Sequence, residues 1–202
     1  MSEVKLIIWD WFKTLSPHHL YESLRQNNPA AYELIQQYFV DHQEELLAWH
    51  QGKLGYTSLH AKFAEITGID AAEFDKSLNS ITPKDMVDSE VMGYVNDFAG
   101  KGIAQVIASD NYDIWDEFFL PQYASELTIF TGFHSPTDFR IMTLDQHAEF
   151  LKSIAASYQI DLSKTILIDD NSELTSLFSK LGGRVINHTD RQDLLSQLKN
   201  LA

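Results

Sequence analysis

The stretch that decides the fold is 5-KLIIWDWFKTLSP-17: an apolar run that ends on a single carboxylate, Asp10, with an aromatic two places later at Phe12 and a hydroxyl at Thr14. Near-continuous hydrophobicity, rather than alternation, is what a strand covered on both faces requires. Four more runs share it: 103-IAQVIAS-109, 126-ELTIF-130, 165-TILID-169 and 183-GRVIN-187. Between them lie stretches with helical period, among them 143-TLDQHAEFLKSIAASYQI-160, where Leu144, His147, Phe150, Leu151, Ile154 and Tyr158 share one face. Gly102 and Gly182–Gly183 stand where helices should stop before the next strand. Strands alternating with helices predict an α/β fold with a doubly wound parallel sheet.

The interval 17–87 departs from that alternation. Its segments, such as 29-PAAYELIQQYFVDHQEELLAWHQG-52 and 56-YTSLHAKFAEITG-68, are helical throughout. The expected organisation is therefore a core made of 1–16 and 88–202, with an all-helical insertion at 17–87.

Composition narrows the function. The chain has 202 residues, is 44% hydrophobic, and carries 29 acidic against 15 basic residues, a formal charge of −14. A surface of that sign repels nucleic-acid phosphates, so no nucleic-acid partner is expected. With no cysteine, disulfides, thiolate metal sites and cysteine nucleophiles are excluded. The N-terminus shows no signal-peptide pattern and no apolar run has membrane-spanning length, so the reading is a cytoplasmic protein with a small-molecule substrate and no membrane partner.

In parallel α/β sheets, functional groups gather beyond the carboxyl ends of the strands. The first strand ends in Asp10 with Thr14 beyond it, the second in Ser109 followed by Asp110 and Asn111, the fourth in Asp169–Asp170–Asn171. Taken singly, each is explained by a turn or a helix cap, as Asn111 and Asn171 illustrate. The adjacent Asp169 and Asp170 are harder to explain so, because like charges at a buried strand end repel unless a cation is present.

Together these segments resemble the haloacid dehalogenase (HAD) superfamily. 7-IIWDWFKTL-15 resembles its first motif (Asp-x-Asp-x-Thr), 106-VIASD-110 its second and 166-ILIDDN-171 its fourth, with the helical insertion where the family places an α-helical cap. The resemblance implies a Rossmann-like core and a hydrolase with Asp10 as nucleophile. It implies Mg²⁺ held by Asp10, the backbone carbonyl of Phe12, Asp169 and Asp170, with Thr14 and Ser109 positioning phosphoryl oxygens. That donor set suits a hard cation.

Two positions break the family pattern. Phe12 stands where its phosphatases carry the acid/base aspartate, so proton transfer is weakened; the dehalogenase branch, which has an aromatic there and no metal, is the alternative. Phosphonate hydrolases, with Asp-Trp and a cap lysine, place Lys53 in view. The third motif, a lysine, falls by the family's spacing near Asp145; Arg140, Lys152 and Lys13 are the cations at hand, Arg140 and Lys152 also as substrate contacts. A non-catalytic binding protein on the same fold is the reading from another class. His18–His19 lacks metal-ligand spacing, and Trp9 and Trp11 read as packing residues.

Overall fold

The structure, a computed structural model, describes residues 3–50, 52–80, 83–109, 112–125, 127–134 and 144–201. Strand β1 (Leu6–Trp9) is followed by helices α1 (Glu22–Asn27), α2 (Pro29–Asp41), α3 (Gln43–His50), α4 (Tyr56–Thr67), α5 (Ala71–Leu78) and α6 (Pro83–Met86). Helix α7 (Ser89–Gly100) leads into β2 (Ala104–Ala108). Helix α8 (Tyr112–Ile114) runs through one π-helical turn (Trp115–Phe119) into α9 (Leu120–Tyr123). The remainder alternates: β3 (Gly132–His134), α10 (Leu144–Ser157), β4 (Thr165–Asp169), α11 (Ser172–Lys180), β5 (Arg184–Asn187) and α12 (Arg191–Leu201).

The five strands form one parallel sheet in the order β3-β2-β1-β4-β5. The chain winds outward from β1 through β2 to β3, then returns to the other side of β1. The direction of winding reverses between β1 and β4, and a crevice opens at such a reversal. The pleat of β1 sends Ile7 and Trp9 into a cluster with Phe98 of α7 and Leu194 and Leu198 of α12. It sends Leu6 and Ile8 to the opposite face, against Leu151 and Ile154 of α10 and Phe178 of α11. Burial on both faces explains the unbroken apolar runs. The buried amide of Gln105 sits among them without penalty: it accepts from Trp9 Nε1 at 3.0 Å and donates to the Val95 carbonyl at 2.7 Å.

One strand assignment needs correction. The described part of the run 126–130, residues 127–130, is not a strand; Leu127–Ile129 forms a turn, and the third strand begins at Gly132. Leu127 and Phe130 are buried side chains of that turn, not one face of a ladder, and pairing to β2 starts only where Thr131 N–H reaches the Gln105 carbonyl at 2.8 Å. Apolar content alone does not separate these two cases.

Helices α1–α5 pack around a group of aromatics, with Phe63 against Tyr21, Phe39 and Phe74 at centroid separations of 6.0, 5.5 and 5.7 Å. They form the helical cap of the fold, joined to the sheet's cluster by apolar contact. Asp113, just beyond β2, clamps them in place. It accepts from Trp49 Nε1 at 2.7 Å and from the Tyr56 N–H at 2.6 Å.

Candidate active site

Sheet register brings the first site residues together. Trp9 pairs with Ile168, and the Asp10 N–H extends that ladder to the Ile168 carbonyl at 3.0 Å. Asp10 therefore leaves β1 beside Asp169 and Asp170 leaving β4. One oxygen from each of the three carboxylates lies within 4.8 Å of the others. At an effective dielectric of about 20, each such pair of charges repels by roughly 3–4 kcal/mol, a repulsion that a cation at this point would relieve.

A tight loop then distributes the residues after Asp10. The Ser16 N–H returns to the Trp11 carbonyl at 2.8 Å and Lys13 takes a left-handed conformation, φ 61°. Trp11 turns inward against Trp115 at 4.7 Å, and the Phe12 ring stands edge-on to Phe119 at 5.6 Å. Lys13, 47% exposed, forms an ion pair with Asp170. Thr14 folds back so that its hydroxyl donates to Asp10 Oδ2 at 3.2 Å. Asp169 is 7% exposed, and its Oδ1 accepts from the Asn171 N–H at 2.7 Å. Asn171 itself caps α11 through the Glu173 and Leu174 N–H groups, the structural role its position suggests.

Ser109, at the end of β2, is 5% exposed, and its Oγ has no hydrogen-bond partner among the described residues. Leaving a hydroxyl so costs about 1–3 kcal/mol, which makes it a candidate donor for a ligand. Asp110 and Asn111 lie outside the described residues.

The sequence reading missed His188. It is 1% exposed, one residue past β5, and its Nε2 lies 3.0 Å from Thr14 Oγ1. Because the Thr14 hydrogen is directed to Asp10, its oxygen accepts from His188 Nε2–H, which leaves Nδ1 bare. That Nδ1 is buried without a partner among the described residues. Burial, only partly opposed by Asp170 and Asp193, pushes the imidazole below its ordinary pKa and keeps it neutral. The strand-end rule that found Ser109 and Asp169, applied to 184-RVINH-188, was the available signal.

Beside the carboxylates opens a cleft of about 260 Å³, lined by Lys13, Thr14, Asp170, His188, Asp88 and Arg191 among others. Arg191 is committed elsewhere, to Asp88 at 3.1 Å through Nη2 and to Glu90 at 2.9 Å. Burial raises the Asp88 carboxyl, but Arg191 and the N–H groups of α7's first turn outweigh it and hold the group below the usual range.

Other candidates are placed away from this cluster. Lys152 pairs with Glu149 at 3.0 Å on the exposed face of α10, and Lys53 is exposed. Arg140 lies outside the described residues. His18 contacts the Asp85 carbonyl at 2.9 Å, and Trp9 and Trp11 are fully buried packing residues. The carboxylates, all hard oxygen donors, fit Mg²⁺; Asp10, Asp169 and Asp170 are the residues able to hold it.

The sequence matches no protein-family model and no curated protein. Solved structures do match. A HAD family enzyme from Bacteroides thetaiotaomicron aligns over 92% of this chain and 94% of its own at TM-score 0.70 and 14% identity. The same wild-type protein in complex with magnesium and inorganic phosphate aligns over 91% and 93% at TM-score 0.61 and 15% identity. L-2-haloacid dehalogenase from Xanthobacter autotrophicus, with chloropropionic acid covalently bound, aligns over 96% and 81% at TM-score 0.64 and 14% identity. The protein therefore has the fold of the HAD-like hydrolases, a parallel α/β core with an inserted helical cap.

Proposed function

We propose that this protein is a Mg²⁺-dependent HAD-type phosphohydrolase acting on a small phosphorylated metabolite, with Asp10 as nucleophile. The observation that carries this reading is the convergence of Asp10, Asp169 and Asp170 on one point at the reversal of the sheet. A dehalogenase has little use for such a cluster. Bound to these carboxylates and the Phe12 carbonyl, Mg²⁺ would supply positive charge against the attacking carboxylate and the substrate phosphate.

The chain's own residues supply the rest. An Asp10 oxygen attacks phosphorus, the bond to the leaving oxygen breaks, and water then hydrolyses the aspartyl phosphate to regenerate Asp10 and release phosphate. Thr14, oriented by His188, holds the nucleophile through Oδ2. Ser109 Oγ donates to a phosphoryl oxygen. Residues 17–87 act as the cap that excludes water and selects the substrate. The Phe12 side chain offers no proton to the leaving oxygen, so substrates whose leaving group departs unprotonated, such as aryl or acyl phosphates, react fastest.

Beryllium fluoride, a mimic of the aspartyl phosphate, tests this without knowledge of the substrate. Thermal stabilisation is expected only with Mg²⁺ and beryllium fluoride together, and not in Asp10→Asn or Asp170→Asn. No stabilisation of the folded wild type refutes the reading. The aromatic at position 12 and the likeness to a solved dehalogenase support a second reading, hydrolysis of a carbon–halogen bond by Asp10. Halide release from 2-chloropropionate without metal, abolished in Asp10→Asn, would favour it.

A further inference from the structure

We infer that Lys13 is a built-in counter-cation of the metal site: its ammonium holds Asp170 when metal is absent and, displaced by Mg²⁺, turns to the substrate phosphate. The inference rests on the metal-dependent reading of the same site and adds a role for one residue.

Three carboxylates brought within 4.8 Å repel one another, and a nearby cation offsets that repulsion. Among the described basic residues weighed for the site, Lys152 is paired with Glu149 on an exposed helix face and Arg191 is committed to Asp88 and Glu90. Lys13 alone of these is bonded to a member of the cluster, through Nζ to Asp170. The backbone adds an independent observation. Lys13 holds φ 61° with no special side-chain tolerance for it. For a residue other than glycine, asparagine or aspartate this conformation costs about 1–2 kcal/mol, and it persists where the surroundings demand it. Here the turn that returns Thr14 to Asp10 also starts the lysine stem on the side of Asp170.

A carboxylate cannot give full charge to a metal while it is paired to an ammonium, so Lys13 and Mg²⁺ compete for Asp170. The lysine is half exposed on a flexible stem, and exchange requires only side-chain rotation. Both Lys13 and Asp170 line the cleft, so the released ammonium remains beside the position of an incoming phosphate. That supplies a positive charge of the kind the resemblance expects from a third-motif lysine. The two roles predict effects of opposite sign.

The test is calorimetric titration of wild type, Lys13→Met, Lys13→Gly and Lys13→Arg with Mg²⁺ alone, then with inorganic phosphate at saturating Mg²⁺. Lys13→Met should tighten Mg²⁺ about five- to tenfold, the scale of losing one exposed ion pair and a nearby like charge, and weaken phosphate by a similar factor. Lys13→Gly, which relieves the backbone conformation, should do the same and covers the case in which the methionine variant folds poorly. Lys13→Arg should stay within about twofold of wild type on both. A damaged site weakens both ligands, so the opposed signs separate this role from a structural one. Mg²⁺ binding to wild type with unchanged or weaker affinity in Lys13→Met and Lys13→Gly overturns the inference while leaving the metal site standing. Tighter Mg²⁺ with unaltered phosphate overturns the phosphate role. No Mg²⁺ binding in any variant overturns the metal reading itself, and this inference with it.

Discussion

On the proposed phosphohydrolase reading, placing a proton donor at position 12 should speed the reaction. The Phe12 ring is half-buried and stands edge-on to Phe119 at 5.6 Å. Such an aromatic pair contributes about 0.5–1.5 kcal/mol, and the ring's partial burial a share of the ~1.5–3 kcal/mol of a fully buried side chain. Phe12→Asp and Phe12→Asn should therefore each cost about 2–3 kcal/mol, a loss that a domain of typical stability, 5–15 kcal/mol, survives. Only the aspartate can donate a proton. General acid catalysis contributes about 10²- to 10⁴-fold, equivalent to roughly 3–5 kcal/mol of barrier. The gain must depend on the leaving group: p-nitrophenolate departs without a proton, whereas an alkyl leaving oxygen must be protonated and departs as the alcohol. Phosphate release from p-nitrophenyl phosphate and from glycerol phosphate, at saturating Mg²⁺, reads this difference. Phe12→Asp should raise kcat on the alkyl ester far more than on the aryl ester, and Phe12→Asn should raise neither. A folded, Mg²⁺-binding Phe12→Asp with the same change on both esters would refute the assignment of position 12 as the missing acid.

Three further outcomes follow from particular contacts. His60 and His188 are buried and held below the ordinary histidine pKa, in both cases by desolvation first. The unfolded chain therefore takes up protons at about pH 6.5 before the folded one does; the stability these groups contribute is intact above that value and is lost as pH falls through the depressed folded values. Denaturant midpoints should fall as pH drops below about 6.5, less steeply in His188→Gln; an equal slope in both proteins would contradict this. Asp113→Ala removes the acceptor for Trp49 Nε1 and the Tyr56 N–H, at about 1–3 kcal/mol for the groups left unpaired. Hydrogen exchange should quicken in residues 49–60 and not in β1 or β4, whereas uniform acceleration would mean that Asp113 is not a cap clamp. In Gly183→Ala the added methyl collides with the fully buried Phe178 ring, an overpacking expected to cost about 1–3 kcal/mol; a midpoint shift worth under about 0.5 kcal/mol would show that the ring yields freely.

Much of the fold was legible because its strands are local objects. β1, β2 and β4 are buried inside a sheet covered on both faces, and that burial writes short apolar runs into the chain, whereas β5, at one edge, buries only Ile186 and shows through its β-branched pair after Gly183. β3 escaped because it is a three-residue edge strand of intermediate exposure, preceded by a turn more hydrophobic than itself. Asp10, Ser109, Asp169 and Asp170 were legible because a polar residue ending an apolar run marks the carboxyl edge of a parallel sheet. His188 stands at the same edge, where the strand-end rule could have marked it, but its contact with Thr14 spans 174 residues of chain and only the fold creates it.

By itself, then, the sequence determined the alternation of elements, the helical insertion after the first strand, and the residues at the strand ends, since hydrophobic period and turn chemistry act over a few residues. The tertiary structure decided which of those residues meet. It set Lys13 against Asp170 across 157 positions and tied Arg191 to Asp88 across 103. It also placed His188 behind the hydroxyl that holds Asp10. The physical reason is that charge and hydrogen-bond geometry act through space, and strand order alone determines which distant segments become neighbours.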